Sequence, residues 1–172
     1  MNLKDLLRQR SLFIAAFLVC VALMVAALTM QHALGLDPCP LCIIQRALVM
    51  AVGAVALVAA LHDPGIVARR IYGSLVVVLG ILGMVVAGRH VWLQNLPADQ
   101  VPECGPGLEY LLDAFPLTEA LSLVFRGSGE CAEVQWVFLG LTIPGWTLVA
   151  FGGFTIFGVV LIATRLGMPA RA

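Results

Sequence analysis

The 172 residues include ten basic and ten acidic side chains, a formal net charge of +0, and no nucleic-acid partner is expected. With 61% hydrophobic and 12% charged residues and a mean hydropathy of +1.01, the composition excludes a water-soluble domain. It is that of a membrane protein.

A helix rises about 1.5 Å per residue and the hydrocarbon core is about 30 Å thick, so a span needs roughly 20 apolar residues. Four stretches qualify, at about residues 12–30, 42–61, 71–88 and 146–163. The third could extend past Arg89 towards Leu93, and the second holds Gln45 and Arg46 as its strongly polar members. The run after Lys4, Arg8 and Arg10 is longer than the core of a secretory signal, and no small-x-small cleavage site follows it, so span one is expected to be retained. The chain reads as a single membrane domain, residues 1–172, without repeats or low-complexity tails.

Cytoplasmic segments near span ends accumulate basic residues. Lys4, Arg8, Arg10, Arg69, Arg70, Arg165 and Arg171, seven of the ten, fall on one face, which predicts that both termini are cytoplasmic. The other face receives a short loop at about 31–41 and a long one at about 92–143. Trp92, Trp136 and Trp146 lie in or beside the long loop, as anchors at one interface would. Within it Leu117, Ala120, Leu121 and Val124 repeat at i, i+3, i+4, i+7, the pattern of a short amphipathic helix expected to lie flat at headgroup level. The fold class is therefore all-α: a four-transmembrane-helix bundle whose long outer loop carries a short interfacial amphipathic helix.

Cys39, Cys42, Cys104 and Cys131 all map to the outer face, where disulfides persist in exported proteins. Four cysteines allow three connectivities. The three-residue step from Cys39 to Cys42 favours a local pair, which would leave Cys104 to Cys131. A bridge closing that longer loop would be worth about 3–4 kcal/mol in the chain-entropy model, so a purely structural staple is a serious reading of it. The local pair closes almost no loop and makes a poor staple. Cys-x-x-Cys serves both zinc and redox sites, but no His-x-x-x-His or second Cys-x-x-Cys accompanies it, which favours redox chemistry and no metal.

Pro38 and Pro40 put Cys42 in the first turn of span two, where free backbone N–H groups and the helix dipole favour a thiolate. Arg46, one turn deeper on the same face, could stabilise that thiolate and the anion developing on an acceptor. Its alternative is a snorkelling side chain reaching the headgroups. A redox pair half sunk in lipid suits a lipid-soluble electron acceptor such as a quinone.

The segment Cys39-Pro40-Leu41-Cys42-Ile43-Ile44-Gln45-Arg46 resembles the start of span two in the disulfide bond formation protein B (DsbB) family of bacterial inner-membrane oxidases. Residues 127–133 (Gly-Ser-Gly-Glu-Cys-Ala-Glu), Gln135-Trp136, Phe138-Leu139-Gly140-Leu141 and Pro144 are similar to the stretch before that family's last span, and the Gln31-His32 pair and four-span plan match too. The resemblance implies a thiol:quinone oxidoreductase that reoxidises a periplasmic thioredoxin-fold dithiol oxidase, DsbA-like, and passes electrons to ubiquinone or menaquinone. It implies partner capture by Cys104, release of the Cys131 thiol, exchange onto Cys39–Cys42, Cys42 as the quinone-facing thiol and Arg46 polarising the quinone oxygen. Pro40, Leu41 and Gln45 stand where members of the family vary. His90 beside Arg89 could line the quinone pocket, or be an interfacial histidine without a role; His32 and His62 are not expected to act, and Cys20, near mid-bilayer, is expected to be a packing residue.

Rival readings are an exporter of reductant, which would need a cytoplasm-accessible redox pair that Cys20 alone cannot supply, and a metal-binding membrane protein, which would need further soft ligands. A non-enzymatic four-span scaffold with a stapled outer loop is the third; it would need neither the local pair nor Arg46.

Overall fold

A computed structural model describes residues 3–62, 65–97, 99–101, 110 and 113–163. Its elements in order are α1 (Leu3–Leu34), α2 (Pro40–His62), α3 (Ile66–Gln94), α4 (Leu117–Arg126), α5 (Gly129–Ala132), β1 (Val137–Phe138), β2 (Leu141–Thr142) and α6 (Ile143–Ala163). Four helices are long and apolar enough to cross a membrane, α1 over Arg10–Leu34 and α2, α3 and α6 throughout. The shortest, α6, has 21 residues and so rises about 31 Å, enough for the hydrocarbon core.

Each helix outruns its apolar stretch, because backbone hydrogen bonding continues past the last residue that lipid selects. The consequence is largest in α3. It starts after Gly65, so that Arg69 and Arg70 lie in its first turns instead of in a loop, and it continues to Gln94, carrying Arg89 and His90 on a rigid element. Asn95 closes it by donating its side-chain amide to the Val91 carbonyl at 2.8 Å. Pro40 opens α2 at the first helical position, where a missing N–H removes nothing. The Ile43 N–H then reaches the Cys39 carbonyl at 3.2 Å.

The helices pack in the order α1, α2, α3, α6. The α3–α6 seam is the most intimate, and small residues explain why. A methyl added at Gly83 would overlap the Phe151 ring, and one at Gly158 would sit 2.7 Å from the Gly73 carbonyl. On the opposite side, Cys20 of α1 lies against Gly53 of α2, buried as a packing residue would be. Helices α1 and α6 meet edge to face at Phe13 and Phe157, with ring centroids 6.2 Å apart. At the cysteine end a cavity lies between them. Large apolar side chains such as Leu18, Val25, Val58, Val78 and Ile156 face outward, the surface a bilayer covers.

Outside the bundle, α4 is the helix the periodicity predicts, ended by Gly127 at φ 84°. Its Val124 is buried with Leu41, Val86 and Leu93, so that residue turns into the protein and not into the headgroups. Strands β1 and β2, not foreseen from the sequence, pair antiparallel with Val137 opposite Thr142. Leu139 and Gly140 form the two-residue turn with φ of 51° and 80°, the left-handed pair that a twisted hairpin needs. Trp136 stacks on Phe138 at 5.6 Å, and Trp146 Nε1 donates to the Phe138 carbonyl at 3.1 Å. Arg89 lies 4.1 Å above the Trp92 ring.

Candidate functional site

Cys39 immediately precedes α2 and Cys42 lies in its first turn, so a step of three residues brings both sulfurs of the Cys-x-x-Cys segment to one side of the helix start. Cys39 Sγ and Cys42 Sγ are 3.3 Å apart as two thiols, with Cys39 donating. From α3, His90 closes on both: Nε2 is 3.7 Å from Cys39 Sγ and Nδ1 is 4.0 Å from Cys42 Sγ. His90 is 3% exposed and Gln45 also 3%, so each polar atom here needs a partner.

The partners form a relay. Thr147 Oγ1 of α6 donates to Gln45 Oε1 at 2.5 Å. That turns the Gln45 amide nitrogen towards His90 Nδ1, 3.2 Å away, as donor. An imidazole accepting at Nδ1 carries its proton on Nε2, so the N–H of His90 points at Cys39. Three helices thus set one histidine tautomer against one sulfur.

Cys131 sits on α5, fully buried beside Cys39 and Leu41. It shares a hydrogen bond with Cys39, and this together with burial pushes its thiol well above the ordinary range. Ser128 Oγ is 3.7 Å from its sulfur. Helix α5 already holds it against Cys39, in one buried cluster with Val124 and Leu93. Cys104 lies outside the described residues.

Two cavities flank α2. The larger, ≈ 320 Å³, is bounded by α1, α2, α6 and the hairpin and is almost wholly apolar, with Cys42 and Arg46 among its walls. Arg46 donates through Nη1 to Gln31 Oε1 and through Nη2 to the Ala27 carbonyl at 3.2 Å, so α1 anchors it at the cavity wall. A volume of this order, apolar with a few polar groups at one end, is what a small ring-shaped ligand needs. The smaller cavity, ≈ 30 Å³, touches Cys39, Cys42 and His90 on the other flank and is rimmed by Asp37, Glu130 and Glu133. His90 lines this smaller cavity and not the larger one. Helix α3 packs on α2 away from α1, which brings His90 to the sulfurs from behind.

A family model described as disulfide bond formation protein DsbB matches residues 9–161. The chain belongs to the DsbB family. Its similarity to DsbB relatives extends over nearly their whole length. The disulfide bond formation protein B of Nitrosococcus oceani is 59% identical over 145 residues, 84% of this chain and 86% of the relative. That of Saccharophagus degradans is 55% identical over 152 residues, covering 88% and 90%. The Hahella chejuensis protein of the same name is 52% identical over 149 residues, covering 87% and 90%. Membership of the DsbB family makes the chain a multi-pass membrane protein of bacterial disulfide bond formation, with disulfide oxidoreductase activity.

Three residues to which the sequence assigned no role complete the contacts around these cysteines and Arg46. Gln45, three residues after Cys42 and strongly polar within a span, offered a signal. Gln31 offered a weaker one, as a polar residue at the end of span one. Thr147, mildly polar in an apolar run, offered none.

Proposed function

We propose that this protein reoxidises a periplasmic DsbA-like thioredoxin-fold dithiol and passes the electrons to membrane ubiquinone or menaquinone. The observation that carries the reading is the position of Cys42, whose sulfur meets Cys39 and His90 on one side and borders the Arg46 cavity on the other. A quinone supplies a two-electron acceptor and leaves as quinol.

A partner thiolate attacks Cys104 of a Cys104–Cys131 disulfide, forming a mixed disulfide and releasing Cys131. Cys131, held beside Cys39, attacks that sulfur and releases Cys42 as the leaving thiolate. The partner's second thiol then releases the oxidised partner from Cys104, and Cys104 attacks Cys131 to restore the loop disulfide. The freed Cys39 re-forms its bond to Cys42 as two electrons pass to the acceptor. Thiol exchange needs a nearly linear approach of three sulfurs, so a residue already packed on Cys39 saves most of the search. Arg46 holds positive charge where electrons from Cys42 arrive, in an apolar wall where such a charge acts strongly. His90 keeps an N–H at Cys39, which stabilises negative charge there during exchange.

On this reading the chain works as one membrane domain in the bacterial inner membrane, with both termini cytoplasmic and the four redox cysteines periplasmic. A stapled scaffold would have no use for the Thr147–Gln45–His90 relay.

The test follows quinone absorbance with purified protein and a reduced thioredoxin-fold dithiol protein. Quinone loss should require both the dithiol and Cys42, so Cys42→Ser should abolish it. Absence of loss with either quinone, or undiminished loss in Cys42→Ser, would sink the reading.

A further inference from the structure

We propose that the reduced Cys39–Cys42 pair and His90 form a binding site for a thiophilic d10 cation of the zinc type, entered through the acidic side cavity and incompatible with the disulfide. The sequence supplies two sulfur ligands; folding adds the third ligand from α3, 48 residues beyond Cys42.

The geometry is close to what such an ion requires. Zinc holds thiolate sulfur at about 2.3 Å and imidazole nitrogen at about 2.0–2.1 Å in a tetrahedron, which places sulfurs roughly 3.8 Å apart and sulfur and nitrogen roughly 3.6 Å apart. Here the sulfurs are 3.3 Å apart, His90 Nε2 is 3.7 Å from Cys39 Sγ, and all three ligand atoms lie within 4.8 Å of one another. Two edges are within about half an ångström of these values and the third, from His90 to Cys42, is within 4.8 Å, so closing the triangle asks for side-chain adjustments of up to about 1 Å.

Access and the fourth position come from the smaller cavity. At ≈ 30 Å³ it has room for an ion with one water, and Asp37, Glu130 and Glu133 at its rim give a cation a favourable path to the sulfurs. Gln94 also lines it and keeps Oε1 buried with no hydrogen-bond partner, a carbonyl oxygen available to a metal-bound water.

A metal-bound histidine must donate its other ring N–H. With Nε2 on the metal, Nδ1–H faces Gln45, and a half-turn of that amide offers Oε1 as acceptor. The amide nitrogen then donates to Thr147 Oγ1, whose hydroxyl has a second acceptor in the Pro144 carbonyl at 3.0 Å. Gln45 can therefore serve either histidine tautomer without leaving a buried group unpaired, which glutamine allows and an apolar residue does not.

The binding step is an exchange of protons, not electrons: one M²⁺ displaces two thiol protons, forms two metal–sulfur bonds and one bond to His90 Nε2, and the imidazole proton moves from Nε2 to Nδ1. Because both sulfurs then hold the metal, the disulfide and the ion exclude each other. None of this requires quinone as the acceptor.

Cadmium is the probe, read by its ultraviolet thiolate-to-metal charge-transfer band, on the full chain in detergent carrying Cys104→Ser and Cys131→Ser. Reduced protein should take up one Cd²⁺ per chain, displaced by Zn²⁺, and protein with the Cys39–Cys42 disulfide should take up none. Loss of an outer-shell partner alone weakens metal sites about 10–100-fold, so His90→Ala should weaken binding at least about tenfold. His90→Gln, which keeps the volume, should weaken it as well, and Gln45→Leu should follow at about tenfold. Equal affinity in wild type and both His90 variants, or a charge-transfer band in oxidised protein, would overturn the proposal. A protein that binds Cd²⁺ through His90 yet never reduces quinone would remove the proposed function and leave this site standing.

Discussion

His90 Nε2 lies 3.7 Å from Cys39 Sγ although 51 positions separate the two residues in the chain. The proton on that nitrogen is set by Gln45, and the orientation of Gln45 is set by Thr147. Gln45→Leu should leave the fold intact but let the imidazole turn. A buried hydrogen bond to a charge-bearing centre is worth about 1.5–3 kcal/mol. Turnover with a reduced dithiol partner should therefore fall about 10–100-fold. Thr147→Val should fall in the same direction by less. Stopped-flow kinetics on the two variants would check this, and wild-type rates in Gln45→Leu would make the relay merely structural.

Arg46 borders the larger cavity and is tied to α1 through Gln31. Arg46→Met should raise the quinone KM and lower kcat, while the exchange between a partner dithiol and the loop cysteines proceeds. Gln31→Ala should show a weaker version of the same change. An unaltered dependence of rate on quinone concentration in Arg46→Met would reduce the arginine to a snorkelling side chain.

Cys131 is held neutral by its hydrogen bond to Cys39 and by burial. Its folded value lies above the ordinary thiol value of about 8.5, so its contribution to the stability of reduced protein is full below that pH and is lost as pH rises beyond it. Alkylation of Cys131 at about pH 8.5 should be several-fold slower in native protein than in protein unfolded by sodium dodecyl sulfate. Cys39→Ala should narrow the gap. Equal rates in native and unfolded protein would show that the thiol is neither buried nor paired.

The α3–α6 seam has no room for side chains at Gly83 and Gly158. Gly158→Leu should destabilise the bundle by about 1–3 kcal/mol, the usual range for overpacking. The midpoint of unfolding by sodium dodecyl sulfate, followed by circular dichroism, would move down accordingly. Gly153→Ala, where an added methyl meets nothing within 4 Å, is the control.

How far the sequence reaches is clearest from residues 39–46. The spacing of Cys39, Cys42 and Arg46 is local, and helical geometry turns it into a shared face without help from the rest of the chain. The four long apolar helices are legible for a similar reason, because the bilayer selects on composition over one continuous stretch. His90 could be noticed but not placed, since its partners depend on which side of α2 receives α3. Cys131 beside Cys39 depends on α4 and α5 folding back over Leu93. The hairpin was missed because Leu139 adopts a positive φ that its residue type disfavours, and the strands are two residues each.

The gap between α1 and α6, shut at Phe13 and Phe157 and open around Cys42, has a kinetic meaning for any reactant that uses it. On the proposed reading a reactant enters between these apolar helices from the bilayer, so the concentration that fills the gap is the one dissolved in the membrane or micelle, not the one in the tube. Adding detergent at fixed quinone should slow the enzyme by dilution within the micellar phase, and the apparent KM should scale with detergent content until expressed as a mole fraction.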